Sequence, residues 1–339
     1  MFEHTKAAYL RPDVDSGALT ILDDAAVAMG PGIAEAVSDA MRALDGVTLD
    51  AIEAAIEAST AAPILETTAW SDYVRLLESI YGEGSIVEIG MDSTMDAVAE
   101  ADLNAVLSPA GKAQRIRAFR QAGSQSVAQV VEGSTRAAER AVQNANGPRS
   151  IRAAARELLR RKSFKLSDRG AATLQKYIVG LTEGDARLEM TPSQIQQAID
   201  RRFDQLRRDR ALLITQAQTY QAVSQSQTDA WALGVEQGEL DPARWWQEWL
   251  ARVLGACPLC RALDEIRAPL PDGVFVSRPI ASGPKAGQII RFSSPLVHPR
   301  CYCGRRLVSV EGKTWVFLGL NTPATKSLST CHCGASHGH

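Results

Sequence analysis

The chain has 339 residues, of which 45% are apolar, and its 37 basic and 39 acidic side chains leave a formal net charge of −2. That length suits two or three domains of ordinary globular composition. No run of 18 apolar residues occurs, so no helical membrane span is expected, and all six cysteines lie after residue 256, which confines thiol or metal chemistry to the C-terminal part.

The small net charge hides a segmental pattern. Residues 1–100 carry 19 acidic and 4 basic side chains, residues 112–169 carry 4 and 14, and residues 251–339 carry 4 and 11. Alternating blocks of this kind favour docking against charged neighbours, or basic parts lying near nucleic acid. Met1 to Arg11 is polar and mixed, without the n-region and apolar h-region of a secretory leader.

Residues 1–20 show no period. Helices follow. Ile33, Val37, Met41 and Leu44 share one face, as do Leu49, Ile52, Ala55 and Ile56, where Asp50 and Glu53 have capping-box spacing. Trp70, Tyr73, Val74, Leu77 and Ile80 form a third amphipathic stretch ended by Gly82 and Gly84. Residues 1–107 thus read as an acidic helical region without a chemical motif.

Ser108-Pro109 has the chemistry of a helix start, and helical composition continues to Asn144 despite Gly123 and Gly133. Asn146-Gly147-Pro148 breaks it. A basic helix from Ile151 to Arg161 comes next, with Arg152, Arg156 and Arg160 on one face, then a helix capped by Ser167 and stopped at Gly180. The arginine face reads as solvated, with phosphate or DNA contact as the alternative. Thr191-Pro192-Ser193-Gln194 combines N-cap, N1 proline and capping-box Gln. From there, one long helix or two joined near Arg207–Arg210 are expected, with Ile195, Ile199, Phe203 and Leu206 facing a core. The run from Thr215 to Thr228 is so polar that it needs a partner or a wet face. Residues 108–240 form this basic and polar helical region.

Asp241-Pro242 is expected to open a further helix carrying Trp245, Trp246, Trp249, Leu250, Val253 and Leu254, which would anchor a small module. Beyond it the pattern turns β-like at Val274–Ser277 and Gln288–Phe292, and Arg306–Val310 with Thr314–Leu318 flank Glu311-Gly312-Lys313 as a hairpin.

This module holds the strongest signal. Cys257-Pro258-Leu259-Cys260 and His298-Pro299-Arg300-Cys301-Tyr302-Cys303 each place two metal-directed side chains on a tight turn, and two such turns make one tetrahedral zinc site. The expected ligands are Cys257, Cys260, His298 and Cys301. Cys303 is a fifth candidate, because in extended backbone its thiolate lies on the same side as that of Cys301 and can replace His298. With four protein ligands the zinc is structural. A disulfide cluster would need an oxidising compartment, and a redox Cys-x-x-Cys normally heads a helix in a βαβ unit. The expected fold is α+β: a mainly helical body and a zinc-clamped α+β module over residues 241–320. A flexible Cys/His tail, 321–339, completes it.

The order Arg207-Arg208-Asp209-Arg210, the Thr/Gln-rich helix from Thr215 to Trp231, the tryptophan segment, Cys257-Pro258-Leu259-Cys260-Arg261-Ala262-Leu263-Asp264 and the His298 to Cys303 turn resembles the tailed-phage head morphogenesis proteins. These are the minor head proteins of the phage Mu protein F-like family, and the similarity spans about residues 110–310. Gln216 stands where that family often has an acidic residue, and Glu265 where it commonly has glycine. The resemblance implies a low-copy structural protein, assembled in the bacterial cytoplasm into the virion. Its partners would be the portal protein, the major capsid protein or packaged DNA, the last through basic helices in 112–169. No membrane role and no catalysis are implied.

Two other classes use zinc on a chain of this kind. A zinc-dependent nuclease needs an open metal position and a nearby base, and Asp264 stands without a visible partner. A zinc-stabilised DNA-binding protein should present basic and amide side chains to base edges, whereas the segment before Cys257 presents tryptophans.

Overall fold

A computed structural model describes residues 17–145, 150–161, 165–183, 190–251, 257–271, 273–292 and 303–310. The helices are α1 (Gly17–Ala43), α2 (Leu49–Ala58), α3 (Ala62–Leu65), α4 (Thr68–Glu78), α5 (Ile86–Val98), α6 (Pro109–Ala145), α7 (Ile151–Arg161), α8 (Asp168–Glu183), α9 (Pro192–Glu236) and α10 (Pro258–Leu263). The strands are β1 (Trp245–Leu250), β2 (Arg267–Pro269), β3 (Phe275–Val276), β4 (Arg291–Phe292) and β5 (Gly304–Ser309). The chain is therefore mostly helical with a small sheet-bearing C-terminal region. Among the described residues no helix is long and apolar enough to cross a membrane.

The chain forms two compact units. One comprises Gly32–Ser85 and Arg120–Thr215, and the other Met1–Pro31, Ile86–Phe119 and Gln216–His339. In the first, the expected apolar face is buried throughout: Ile33, Val37 and Met41 on α1 and Leu44 just beyond it are all inaccessible or nearly so. Helix α2 buries Ile52, Ala55 and Ile56, but its cap is Thr48, whose hydroxyl accepts from the Ala51 amide at 3.3 Å. Asp50 therefore lies inside the first turn and is not the cap. Threonine in extended backbone before Leu49 satisfies an orphan amide that a carboxylate one turn in does not reach.

Helix α6 is unbroken through Gly123 and Gly133. Gly123 is there for space: a side chain at that position would begin 2.2 Å from the Tyr81 ring. Helix α8 also runs past Gly180 to Glu183, since glycine inside a helix costs only about 1 kcal/mol and Leu174 and Ile178 are held in a core with Leu166, Ile199 and Phe203. Residues Ile195 and Leu206 pack against that core as their spacing requires. The start of α9 has its capping box: the Gln194 amide donates to Thr191 Oγ1 at 3.3 Å and the Thr191 amide to Gln194 Oε1 at 2.7 Å. It is one helix of 45 residues, without a join.

Part of the charge pattern is neutralised within this unit. Glu53 on α2 lies 3.5 Å from Arg152 on α7, and Asp45 is held by Lys165 at 2.9 Å and Arg207 at 3.0 Å. Burial alone pushes the Asp45 carboxyl up, but Lys165, by hydrogen bond and charge, and then Arg207 outweigh it and hold it below its ordinary value. A depressed carboxyl contributes stability that is complete above the unfolded value, about 3.9, and is lost as pH falls through the lower native value. Asp45→Asn is therefore expected to lower this unit's stability at neutral pH, with the gap to wild type closing below about pH 4; thermal melts across pH read it.

In the second unit the C-terminal half of α9 meets the sheet. Strand order is β2-β1-β5, with β1 antiparallel to both neighbours, and β3 pairs with β4 separately. The tryptophan segment is thus a strand and not the expected helix. Asp241 supplies only one turn, its carboxylate accepting from Ala243 and its carbonyl from Arg244 and Trp245. The aromatic spacing imitates a helical period, but pairing on both sides wins, because it gives the buried Gln247 and Glu248 cross-strand partners. Only Trp249 enters the module core, edge-on to Phe275 at 5.4 Å, while Trp245 is 37% exposed. The β-like pieces at 274–277 and 288–292 contain β3 and β4, and Arg306–Val310 overlaps β5. Its expected hairpin partner, 314–318, and the tail 321–339 lie outside the described residues.

Candidate metal-binding module

The module's geometry follows from the register of its central strand. Leu250, the last residue of β1, pairs with Gly304, the first of β5, and Glu248 pairs with Arg267, the first of β2. Strand β1 therefore ends where β2 and β5 begin. The Cys257-to-Cys260 turn lies between β1 and β2, and the second turn runs directly into β5. Sheet topology thus brings the Cys257-to-Cys260 turn and Cys303 to one end of the sheet.

Pro258 at the first helical position starts α10, and Cys257 caps it, its Sγ accepting the Cys260 amide at 3.4 Å. Cys260 is 1% exposed in a core with Trp249, Leu259, Leu263, Ala268, Phe275 and Ile280, and Cys257 and Cys303 pack against that same core. Three of the five candidate ligands therefore border one small cluster. His298 and Cys301 lie outside the described residues. Among the described residues, Cys257, Cys260 and Cys303 included, no three His, Cys, Asp or Glu side chains gather into a metal-holding group.

Asp264 does have a partner: its carboxylate accepts from the Ala251 amide at 2.8 Å, tying the end of β1 to the end of α10. Glu265 follows at φ +61°, in the left-handed region, where its amide donates to Trp249 O at 2.8 Å. That conformation is one glycine adopts without a steric penalty. Glu265→Gly is expected to stabilise the module by about 0.5–1 kcal/mol, read as a raised denaturant midpoint.

The residues that sequence reasoning passed over lie on the two faces of β1. On one, Glu248, with a side chain 2% exposed, accepts from Arg267 at 2.6 Å and from Arg306 at 2.7 Å, its cross-strand neighbours. On the other, Arg305 is buried against α9. Its guanidinium donates to Gln247 Oε1 at 2.8 Å, Ser224 O at 2.8 Å and Thr228 Oγ1 at 2.6 Å, and stands 5.3 Å over the Trp231 ring. Removal from water pushes Arg305 down to about 10, against the charge of Asp229. Asp229 itself is raised by burial, in spite of the Gln225 amide at 3.0 Å and Arg115 at 3.9 Å. Trp231 donates to Asp102 at 2.8 Å, and burial raises that carboxyl too.

Much of the polar run on α9 therefore has a partner: Gln218, Thr219, Ser224, Ser226, Gln227 and Asp229 are buried, while Gln216, Gln221, Gln225 and Thr228 are half-buried. Its polarity was the one available signal for this seam. The cation that fills it sits far along the chain, in a strand whose apolar neighbours suggested only a hairpin. On the basic helix α7, Arg152 and Arg156 are exposed over buried Ala154, Ala155 and Leu158. Comparison with protein-family models, with curated proteins and with solved structures finds no match to this chain.

Proposed function

We propose that this chain is a structural minor head protein of a tailed phage, resembling the phage Mu protein F-like family, taken into the procapsid in the bacterial cytoplasm and retained in the virion. The observation that carries the reading is the ordered pair of motifs in the sequence, Cys257-x-x-Cys260 and His298-Pro-x-Cys301-x-Cys303, supported by the packing of Cys257, Cys260 and Cys303 around one core. Cys257, Cys260 and Cys301 with His298, or with Cys303 in its place, would hold zinc. Bound there, zinc supplies structural cross-linking of a module whose core is too small to be stable alone.

The remainder of the chain serves docking in this reading. Its partners are the portal protein or the major capsid protein, met through charged helical faces, and packaged DNA where exposed arginines such as Arg152 and Arg156 approach phosphate. No reaction is assigned to it.

Elemental analysis of the purified chain, joined to capture assays with the portal and major capsid proteins encoded beside it, tests the proposal. About one zinc per chain and binding to either capsid component are expected. Zinc without capsid binding, with salt-dependent DNA binding by the isolated chain, would transfer the assignment to a zinc-stabilised DNA-binding protein; zinc with hydrolysis of DNA would transfer it to a nuclease.

A further inference from the structure

The stretch from Gly273 to Phe292 carries Arg278, Lys285 and Arg291 and no aspartate or glutamate. It folds as a two-stranded ribbon. Phe275 pairs with Phe292 and Val276 with Arg291, and the ladder continues outward through Ser277 N donating to Ile290 O at 2.9 Å and Gly287 N donating to Ile280 O at 2.8 Å. Side chains alternate across such a ribbon. One face sends Phe275, Ile290 and Phe292 against the module core. The opposite face carries Val276 and Arg291 and, because the same register sets Arg278 opposite Ile289, that pair as well. Val276 is 39% and Ile289 60% exposed, and Arg278 is exposed with them.

The outward face therefore consists of cross-strand pairs, each of one arginine and one β-branched apolar residue. Single exposed apolar side chains are ordinary. Here they share a face with arginines on a ribbon free of carboxylates, which suits an anion that also offers apolar contact. Duplex DNA has both, in its phosphates and in the methyl groups and base edges of its grooves. The ribbon's shape fits too: Phe275 to Ile280 extends about 20 Å at about 3.3 Å per residue, and a major groove about 12 Å wide admits a two-stranded ribbon. Beyond the buried Ile280 the tip is thin, since Ala281 to Gly287 contains, apart from Lys285, only Ala, Ser, Gly and Pro. Gly283 and Gly287, at φ +91° and +78°, have open space where a side chain would begin. Protein interfaces draw on large aromatic anchors, which this face and this tip lack.

We infer that the β3–β4 ribbon is a duplex-DNA-binding element that lies in a groove with Arg278 and Arg291 on phosphates and Val276 and Ile289 against the groove wall. It rests on the head-protein reading only for the source of the DNA, and it does not depend on which residues hold metal. What it adds is a place: the C-terminal module, besides the helical arginines, is where DNA is met.

Duplex binding by the full chain, measured against salt, tests this. Arg278→Gln with Arg291→Gln is expected to weaken binding by about tenfold or more at roughly 50 mM salt, and to lower the slope of log affinity against log salt by about 2. Arg278→Lys should bind as wild type does, because a phosphate accepts either cation. Melting curves accompany each variant; if the double variant is unstable, Arg278→Gln alone, at an exposed position, should lower the slope by about 1. An unchanged slope in Arg278→Gln overturns the inference, as does a wild-type chain without salt-dependent duplex binding. So does poly-glutamate bound as tightly as duplex, which would assign the face to an acidic protein surface. Capture of the portal and major capsid proteins separates the two readings: capture without DNA binding removes the ribbon and leaves the head protein, and DNA binding through Arg278 without capture does the reverse.

Discussion

Cys257→Ser in the full chain is expected to abolish zinc binding and to melt the module from Trp245 to Val310 while the helical unit built on Ile199 and Phe203 persists. The size of the effect follows from what the module lacks. Its core holds few large side chains, Trp249, Leu259, Leu263, Phe275 and Ile280 among them, and its strands beyond the central sheet are two residues long. Full burial of such side chains yields about 1.5–3 kcal/mol each, against backbone ordering of roughly 1–2 kcal/mol per residue. A structural zinc site contributes on the order of 10 kcal/mol, enough to decide whether the module folds. Serine at 257 would keep the cap on α10, since its hydroxyl also accepts the Cys260 amide; loss of the module therefore reports the metal and not the cap. Elemental analysis with calorimetry reads both. Unchanged zinc content and an unchanged melting profile would remove the metal assignment. His298→Ala and Cys303→Ser then identify the remaining ligand, because only one of them should match the loss at Cys257.

How much of this was legible in the sequence depended on whether a residue's partners were near in the chain. The faces of α1, α4 and α9 declared themselves through period, and Thr191 with Gln194 formed the cap their spacing requires, since every partner lay within a few residues. The tryptophan segment misled because Trp245, Trp246, Trp249 and Leu250 satisfy a helical period as well as a strand does, and the deciding contacts come from Arg267–Pro269 and Gly304–Ser309. The cysteine turns were legible as chemistry, whereas the packing of Cys257, Cys260 and Cys303 around one core needed the strand order. Arg305 was invisible for the same reason: its acceptors, Ser224 and Thr228, lie nearly eighty residues upstream. Charge blocks were read as surfaces for other molecules, yet Asp45, Lys165 and Arg207 spend part of that charge on one another.

Glu248→Ala is expected to cost about 3–5 kcal/mol of module stability, the range for removing one partner of a buried ion pair. Glu248 is the one carboxylate between two guanidinium groups, all three in a single cross-strand row, and its removal leaves Arg267 and Arg306 facing each other across β1. Because the arginine side chains are 24% and 33% exposed, they retain some water and the lower end of the range is expected. Glu248→Gln keeps the shape and one acceptor, so it should fall between alanine and wild type. The informative variant removes the whole row: Glu248→Leu with Arg267→Met and Arg306→Leu takes out charge and partner together, and should recover most of the stability lost by Glu248→Ala. Local hydrogen exchange in β1 and β5 is the appropriate readout, since two units need not melt as one. A loss below about 1 kcal/mol for Glu248→Ala would mean that water already serves the carboxylate. A triple variant no better than the single one would mean that the row fixes the register of β1, which apolar packing does not.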